Sequence, residues 1–261
     1  MKKEGLMETS LFDLRGKIAL VTGSSGGLGL VLARGLAQSG AKIVLNGRAR
    51  EKLDGAVKLL RDEGFDASGY AFDIIDSERT EAGILSIERE LGPIDILVNN
   101  AGIQKRAPIL DMTEETWREI IDINLTGVFL MSKAVGKFMV ERRRGKIINV
   151  CSLLSEAARP TISPYTASKG GVKMLTKALA VEWAKFNVQV NGIGPGYFAT
   201  QMNKALVENV EFDSWLKSRT PAGRWGDPKE LVGAAVFLAS EASSFVTGQI
   251  IYVDGGMLAA L

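Results

Sequence analysis

Tyr165 and Lys169 stand four residues apart in the run Ser163-Pro-Tyr-Thr-Ala-Ser-Lys169, a spacing that stacks two side chains on one face of a helix. A phenol titrates near ~10, too high to exchange protons readily at neutral pH. A lysine ammonium one turn away favours the phenolate and draws that value down. The chain contains no histidine, so the commonest proton-transfer side chain is absent and the Tyr–Lys pair is the candidate in its place. The same spacing also occurs on solvated helices that have no role, so the pair acquires meaning from the elements around it.

Alternating β-rich and helical stretches supply those elements. Runs at 17–22, 41–45, 67–72, 94–98, 146–151, 188–193 and 250–253 read as strands, and helical patterns run from the glycines after 22 to about 38, then over 51–63, 77–91, 113–143 and 164–185. Gly40, Gly64 and Gly92-Pro93 stop three of these helices, and Thr113 is an N-cap. Asp227-Pro228-x-Glu230 opens another helix, with Asp as cap and Pro at the first position. Short connections between alternating β and α segments predict a parallel sheet covered by helices on both faces. Apolar runs such as Ile147-Ile148-Asn149-Val150 suit strands buried on both sides. The expected fold class is α/β: a single doubly wound Rossmann-type domain over residues 13–261 with a seven-stranded parallel sheet, preceded by a flexible lead-in at 1–12. Residues 194–226 are too long and too charged for a simple loop, and a lid over a site is expected there. The stretch 164–185 is apolar on two sides, with Val172, Leu175 and Leu179 on one and Met174, Ala178 and Val181 on the other. Such a helix is either central to the core or meets a second subunit.

Composition excludes several classes of function. At 261 residues, 46% hydrophobic and 24% charged, the chain has ample material for a core. The formal net charge of +2, from 32 basic and 30 acidic residues, gives no bulk attraction to nucleic acid or to an anionic membrane, and neither partner is expected. No apolar run reaches the ~20 residues of a membrane span, and the first residues lack the apolar segment of a signal peptide. The single cysteine, Cys151, rules out an internal disulfide and fits a reducing compartment, so a cytoplasmic protein is expected.

Thr22-Gly-Ser-Ser-Gly-Gly-Leu-Gly29 lies between the first strand and the first helix. Glycines there let the backbone approach a pyrophosphate, whose charge the free N–H groups of a helix start bind. Gly23, Ser25, Gly27, Leu28 and Gly29 are therefore candidates to hold a dinucleotide, a purely structural turn being the alternative. The spacing is T-G-x-x-x-G-x-G rather than the G-x-G-x-x-G of the commonest fingerprint. The end of the second strand selects the cofactor, because a carboxylate there bonds the adenosine ribose whereas an arginine accommodates a 2′-phosphate. Asn46-Gly47-Arg48 offers a planar donor fork and no acid. This favours NADP(H), with NAD possible; a solvated Arg48 is the other reading.

Thr22-Gly-x-x-x-Gly-x-Gly29, Asp73, Asn99-Asn-Ala-Gly102, Asn124, Ser152, Tyr165-x-x-x-Lys169 and Pro195-Gly196 together resemble the short-chain dehydrogenase/reductase family, in order and over nearly the whole chain. The resemblance implies hydride transfer between a nicotinamide cofactor and a carbonyl or alcohol. Ser152 would bond the substrate carbonyl and Tyr165 would give or take the proton. Lys169 would hold the nicotinamide ribose and lower the tyrosine pKa, and Asn124 would hold a water linking Lys169 to solvent. Asp73 and Ile74 would meet the adenosine, Asn100, Ala101 and Gly102 would line the cofactor, and Pro195, Gly196, Phe198 and Thr200 would hold the nicotinamide end. No metal ligand set is implied, and a homotetramer is. The chemistry agrees with a cofactor that carries the hydride and a protein that supplies alignment and a tuned proton donor.

Within the family, the stretches 99–108, 151–156, 192–200, 219–226 and 253–257 are similar to members that act on sugar acids. That implies interconversion of D-gluconate and 5-dehydro-D-gluconate, with another keto sugar acid or a 3-oxoacyl substrate as the alternative. A non-catalytic NADP(H) sensor is the alternative of a different class, disfavoured by the intact Ser152, Tyr165 and Lys169. Arg106 and Arg159, each beside a catalytic segment, either pair with a substrate carboxylate or are ordinary surface arginines. Glu156 either accepts sugar hydroxyl protons or is solvated. Three positions depart from the family pattern: Gly26 stands where many NADP-preferring relatives have a basic residue, and Cys151 and Ser155 stand where many have Ser and Gly.

Overall fold

In the computed structural model, which describes residues 11–200 and 203–260, strands and helices alternate along the chain. The strands are β1 (Ile18–Val21), β2 (Lys42–Gly47), β3 (Ala67–Ala71), β4 (Ile94–Asn99), β5 (Gly145–Val150), β6 (Val188–Pro195) and β7 (Ile250–Val253). They form one parallel seven-stranded sheet in the order β3-β2-β1-β4-β5-β6-β7. Chain order reverses between β1 and β4, and the crevice at the carboxyl ends of such neighbours is where doubly wound sheets take ligands.

Successive residues of one strand serve opposite faces, as the pleat requires. Ala19 and Val21 of β1 enter one core, with α1 (Gly27–Gln38), α2 (Arg50–Asp62) and α9 (Val232–Ala239). Ile18 and Leu20 enter the other, with α3 (Ser77–Glu90), α5 (Gly127–Glu141) and α6 (Ser163–Trp183). Both cores are lined mainly by leucine, isoleucine and valine, most of them fully buried, which is why the strands read as unbroken apolar runs.

The helix expected over 113–143 is not one α-helix. α4 (Glu114–Ile121) starts at the Thr113 cap, a π-helical turn occupies Asp122–Thr126, and α5 follows. Gly127 N–H bonds back to Asp122 O, one residue farther than an α-helical bond. This combined helix, Glu114–Glu141, is long and apolar enough to cross a membrane by length and composition, yet 56% of its apolar window is buried inside the molecule, as in a core helix. Asp227 caps its segment as expected in a capping box with Glu230, but the first turn, Pro228–Leu231, is 3-10 before α9 begins.

The 194–226 stretch carries two short helices, α7 (Lys204–Val207) and α8 (Val210–Arg219). Most of the expected lead-in, residues 1–10, lies outside the described residues. Its last two residues touch the body: Ala242 N–H donates to Leu11 O at 3.2 Å, and the Phe12 ring lies 6.4 Å from that of Phe237.

Candidate active site

A cleft of about 450 Å³ opens at the carboxyl ends of β1, β2, β4, β5 and β6. Every residue put forward from the sequence as cofactor-binding lines it except Gly29. Gly27 has φ +55 and open space where a Cβ would project, so the backbone reaches the cleft there with nothing in front of it. α1 begins at Gly27 with no side-chain cap, leaving its first-turn N–H groups free for a ligand. Gly29 has a different use: a Cβ on it would stand 2.5 Å from Asn100 Nδ2. That amide donates to Thr22 O at 2.9 Å and Gly23 O at 3.2 Å, while Thr22 Oγ1 accepts from Asn100 N and Ala101 N. The glycine loop is thus pinned to the end of β4 before any ligand arrives.

At the other side of the loop, Asn46 lines the cleft but spends its amide on β3, donating to Tyr70 O at 3.1 Å and Phe72 O at 3.2 Å. Arg48 follows it with a side chain 65% exposed, its Nη1 3.6 Å from Asp73 Oδ2. Among the described residues lining the cleft, Arg48 and Lys169 are the two cations. The open glycine turn, the free helix start and the guanidinium at the β2 end fit a dinucleotide carrying an extra phosphate.

Ser152, Tyr165 and Lys169 meet at the β5 end of the cleft. Ser152 is set by the end of β5 and by a 3-10 turn at Leu153–Ser155, where its Oγ accepts from Leu154 N at 3.1 Å. Lys169 Nζ donates to Val150 O at 2.6 Å and lies 5.7 Å from the centre of the Tyr165 ring. Burial pulls the Lys169 ammonium down to about 8. Burial also pushes the Tyr165 phenol above its ordinary value, outweighing a hydrogen bond with Ser152 that favours the phenolate. The expectation of a lowered phenol is therefore not met by the protein groups alone, because desolvation of the anion exceeds the help it receives. Cys151, buried beside them, is held as a thiol by burial, its pKa about 11.

Asn124 is buried and does not line the cleft. It lies in the π turn, where Oδ1 accepts from Ile103 N at 2.8 Å and Nδ2 donates to Ile103 O at 2.9 Å and Ser168 Oγ at 3.2 Å. Ser168 Oγ in turn donates to Tyr165 O at 2.7 Å. Asn124 therefore ties the Ile103 wall of the cleft to the helix that carries Tyr165.

Of the five residues put forward for the substrate, Ser152 and Tyr165 line the cleft, whereas Arg106, Glu156 and Arg159 lie outside its lining. Arg106 and Arg159 are close enough that desolvation and the Arg159 charge both pull the Arg106 guanidinium below its usual pKa, so the pair favours an anion. Arg159 Nη1 donates to Tyr197 Oη at 3.1 Å, and its guanidinium lies 4.7 Å from the Phe212 ring centre. Glu156 is occupied elsewhere, accepting from Lys173 Nζ and, at 2.8 Å, from Tyr252 Oη. Sequence reasoning passed over the aromatic group made by Tyr197, Phe212, Trp215 and Trp225, with ring centres 5.2–6.3 Å apart. The only signal for it was the density of aromatics in the irregular 194–226 stretch. Phe72, Ile103 and Ile123 also line the cleft without having been singled out.

The comparisons with known proteins agree with this geometry. A family model described as enoyl-(acyl carrier protein) reductase matches residues 23–258. Gluconate 5-dehydrogenase of Gluconobacter oxydans (strain 621H) is 54% identical over 251 residues, 96% of this chain and 98% of that protein. The 2-dehydro-3-deoxy-D-gluconate 5-dehydrogenase of Formosa agariphila is 51% identical over 257 residues, covering 98% and 97%. A crystal structure of a gluconate 5-dehydrogenase from Burkholderia cenocepacia J2315, in complex with NADP and tartrate, superposes with a TM-score of 0.95 at 51% identity, covering 97% of this chain and 99% of that one. With the parallel sheet, the glycine turn and the serine, tyrosine and lysine at one end of a single cleft, these similarities make the chain an oxidoreductase belonging to the short-chain dehydrogenase/reductase family.

Proposed function

We propose that the protein interconverts D-gluconate and 5-dehydro-D-gluconate with NADP(H). The observation that carries this is the meeting of Ser152, Tyr165 and Lys169 at one end of the cleft, with the Arg106–Arg159 pair nearby. When bound, NADP(H) supplies the hydride chemistry. Ser152 donates a hydrogen bond to the oxygen on C5 of the sugar acid, and Tyr165 delivers a proton to that oxygen in reduction and removes it in oxidation. Burial raises the phenol, so the reaction needs a cation to bring it back. Lys169, 5.7 Å from the ring centre, is that cation. Its own depressed value, about 8, makes the help greatest below that pH. Asn124 holds Ile103 and Ser168, and through them the wall and the helix on either side of Tyr165.

Arg48 would receive the 2′-phosphate, with Asp73 and Ile74 toward the adenosine and Pro195, Gly196, Phe198 and Thr200 toward the nicotinamide end. The lid expected over 194–226 would cover the sugar acid, and Arg106 with Arg159 would take its carboxylate. Three relatives and neighbours named for gluconate or a gluconate derivative support this substrate class. The Formosa relative favours a second reading, in which the substrate is the 3-deoxy keto acid.

The same proposal includes a homotetramer in the cytoplasm. Trp117, Phe129, Met174 and Val181 expose apolar side chains on α4, α5 and α6, with Val181 83% exposed, and a second subunit would cover them. Light scattering of the purified protein reads the assembly, and a monomer would overturn it.

The substrate is tested by following nicotinamide absorbance with a panel of sugar acids and both cofactors. Turnover of gluconate with NADP⁺, lost in Tyr165→Phe while NADPH binding persists, is the expected result. Turnover of the 3-deoxy acid without gluconate would replace the substrate, and an active Tyr165→Phe would refute the proton-transfer role.

A further inference from the structure

One hydroxyl behind the cleft joins two of its working residues. Ser155 lines no part of the cleft, yet its Oγ accepts from Ser152 N at 3.3 Å and donates to Lys169 O at 2.9 Å. A hydroxyl has one proton and two lone pairs. Donation to Lys169 O commits the proton and leaves lone pairs for Ser152 N–H and for the Cys151 thiol, which also lies within hydrogen-bond reach of Ser155. The far end of Lys169 returns to the same strand, with Nζ donating to Val150 O at 2.6 Å. The result is a closed ring: the backbone of Val150, Cys151 and Ser152, the Ser155 hydroxyl, the Lys169 carbonyl, and the Lys169 side chain back to Val150.

We propose that Ser155 is a positioning residue for the reaction, fixing Ser152 against the turn of α6 that carries Lys169, and so aligning the substrate carbonyl with Tyr165. The inference rests on the reading of Ser152, Tyr165 and Lys169 given above. Ser155 touches neither substrate nor cofactor, and it acts through the ring. Without its hydroxyl, the Ser152 N–H and the Lys169 carbonyl lose their bridge, and the end of β5 is free to shift relative to α6. The turn itself stays anchored from the solvent side, because the next residue, Glu156, accepts from Lys173 and from Tyr252 Oη. Removing Ser155 Oγ therefore loosens the alignment and leaves the fold in place.

The test compares wild type, Ser155→Ala, Ser155→Thr and Tyr165→Phe in NADPH-dependent reduction of 5-dehydro-D-gluconate, with NADPH either unlabelled or deuterated at the transferred position. A misplacement of about 1 Å lowers kcat on the order of 10²-fold, so Ser155→Ala is expected to lose about 10- to 100-fold in kcat. Its KM for NADPH and its melting temperature stay near wild type, and its isotope effect on kcat rises as hydride transfer becomes limiting. Ser155→Thr, which keeps the hydroxyl, recovers most of the rate. Wild-type kcat and isotope effect in a folded Ser155→Ala overturn the proposal, as does a loss confined to the KM for NADPH, or a folded Ser155→Thr no better than alanine. Should Ser155→Ala melt early, Ser155→Cys, with a weak donor in a similar volume, is read against the same criteria. An active Tyr165→Phe would instead overturn the underlying reading of the site, whatever Ser155 does.

Discussion

Replacing Arg48 by alanine is expected to erase most of the preference for NADP over NAD while leaving catalysis with NAD unchanged. Its side chain is 65% exposed, so its attraction for a phosphate is close to the aqueous value. At ~4 Å in water, one pair of unit charges contributes ~1 kcal/mol, and a phosphate monoester carries ~1.5–2 charges near neutrality. That gives ~2 kcal/mol, to which hydrogen bonds from the guanidinium fork add and from which salt screening subtracts. The existing approach to Asp73, 3.6 Å away, subtracts further, because the guanidinium exchanges one anion for another. A net ~2 kcal/mol corresponds to a ~30-fold rise in the KM for NADP⁺. Among the described residues lining the cleft, no second cation shares the load at this end, since Gly26 brings no side chain and Lys169 belongs to the β5 end. Initial rates of gluconate oxidation with each cofactor, at low and at physiological salt, read the effect. The NADP⁺ penalty is expected to be larger at low salt. Equal losses with both cofactors, or a change in NADP⁺ KM below threefold, would refute the argument.

Two further outcomes follow from buried groups. Asn124→Ala leaves the Ile103 N–H and carbonyl without their partner; at ~1–3 kcal/mol for each stranded group the melting temperature is expected to fall by roughly 5–15 °C, and a melt within 2 °C of wild type, on the order of the ~0.5–1 kcal/mol scale, would contradict this. Lys146 has its amine against Ser243 Oγ at 3.3 Å, and burial lowers its pKa to about 8. Between that value and the ordinary one, near 10.5, the unfolded chain binds more protons than the folded one, so this residue makes stability rise with pH. Cys151 acts oppositely above its ordinary 9.0, because burial keeps it protonated in the fold. Urea unfolding of wild type and Lys146→Met at pH 7.5 and pH 9 isolates the lysine: wild type is expected to gain relative to the variant as pH rises, by a fraction of the ~1.4 kcal/mol per pH unit of a full proton. A wild-type loss relative to the variant would show the sign to be wrong.

The frame of the site could be read from the chain because local signals and tertiary demands coincide there. β5 is apolar because both its faces are covered, and the turn before α1 is glycine-rich because backbone must approach a ligand. The limits of such reading lie where partners are distant in sequence. Glu156 looks free until Tyr252, 96 residues on, arrives beside it. Arg159 looks like a surface cation until α8 folds Phe212 beneath it. The Tyr165 phenol shifts opposite to the sequence expectation for a related reason: the four-residue spacing reveals the neighbouring ammonium, whereas desolvation is a property of the assembled core. The π turn escaped because one wider turn barely disturbs a pattern of apolar residues already apolar on several sides.

That turn is where the helix can lose a residue without losing its phase. Gly127 N–H already reaches Asp122 O, so removing one residue between them would make that bond an ordinary α-helical one and leave everything beyond it in register. An α-helix advances about 100° per residue, so removing one from the regular turns of α4 would instead swing α5 by more than a quarter of a revolution. Gly127, where a Cβ would already collide with Ile74 at 2.6 Å, would give up that place to a bulkier neighbour. Met131, Val135 and Met139 would leave the sheet, and charged residues such as Lys133 and Lys137 would rotate toward it. Homologous chains that vary freely in surface loops are therefore expected to differ in length between Thr113 and Gly145 by at most one residue, and only at 122–126.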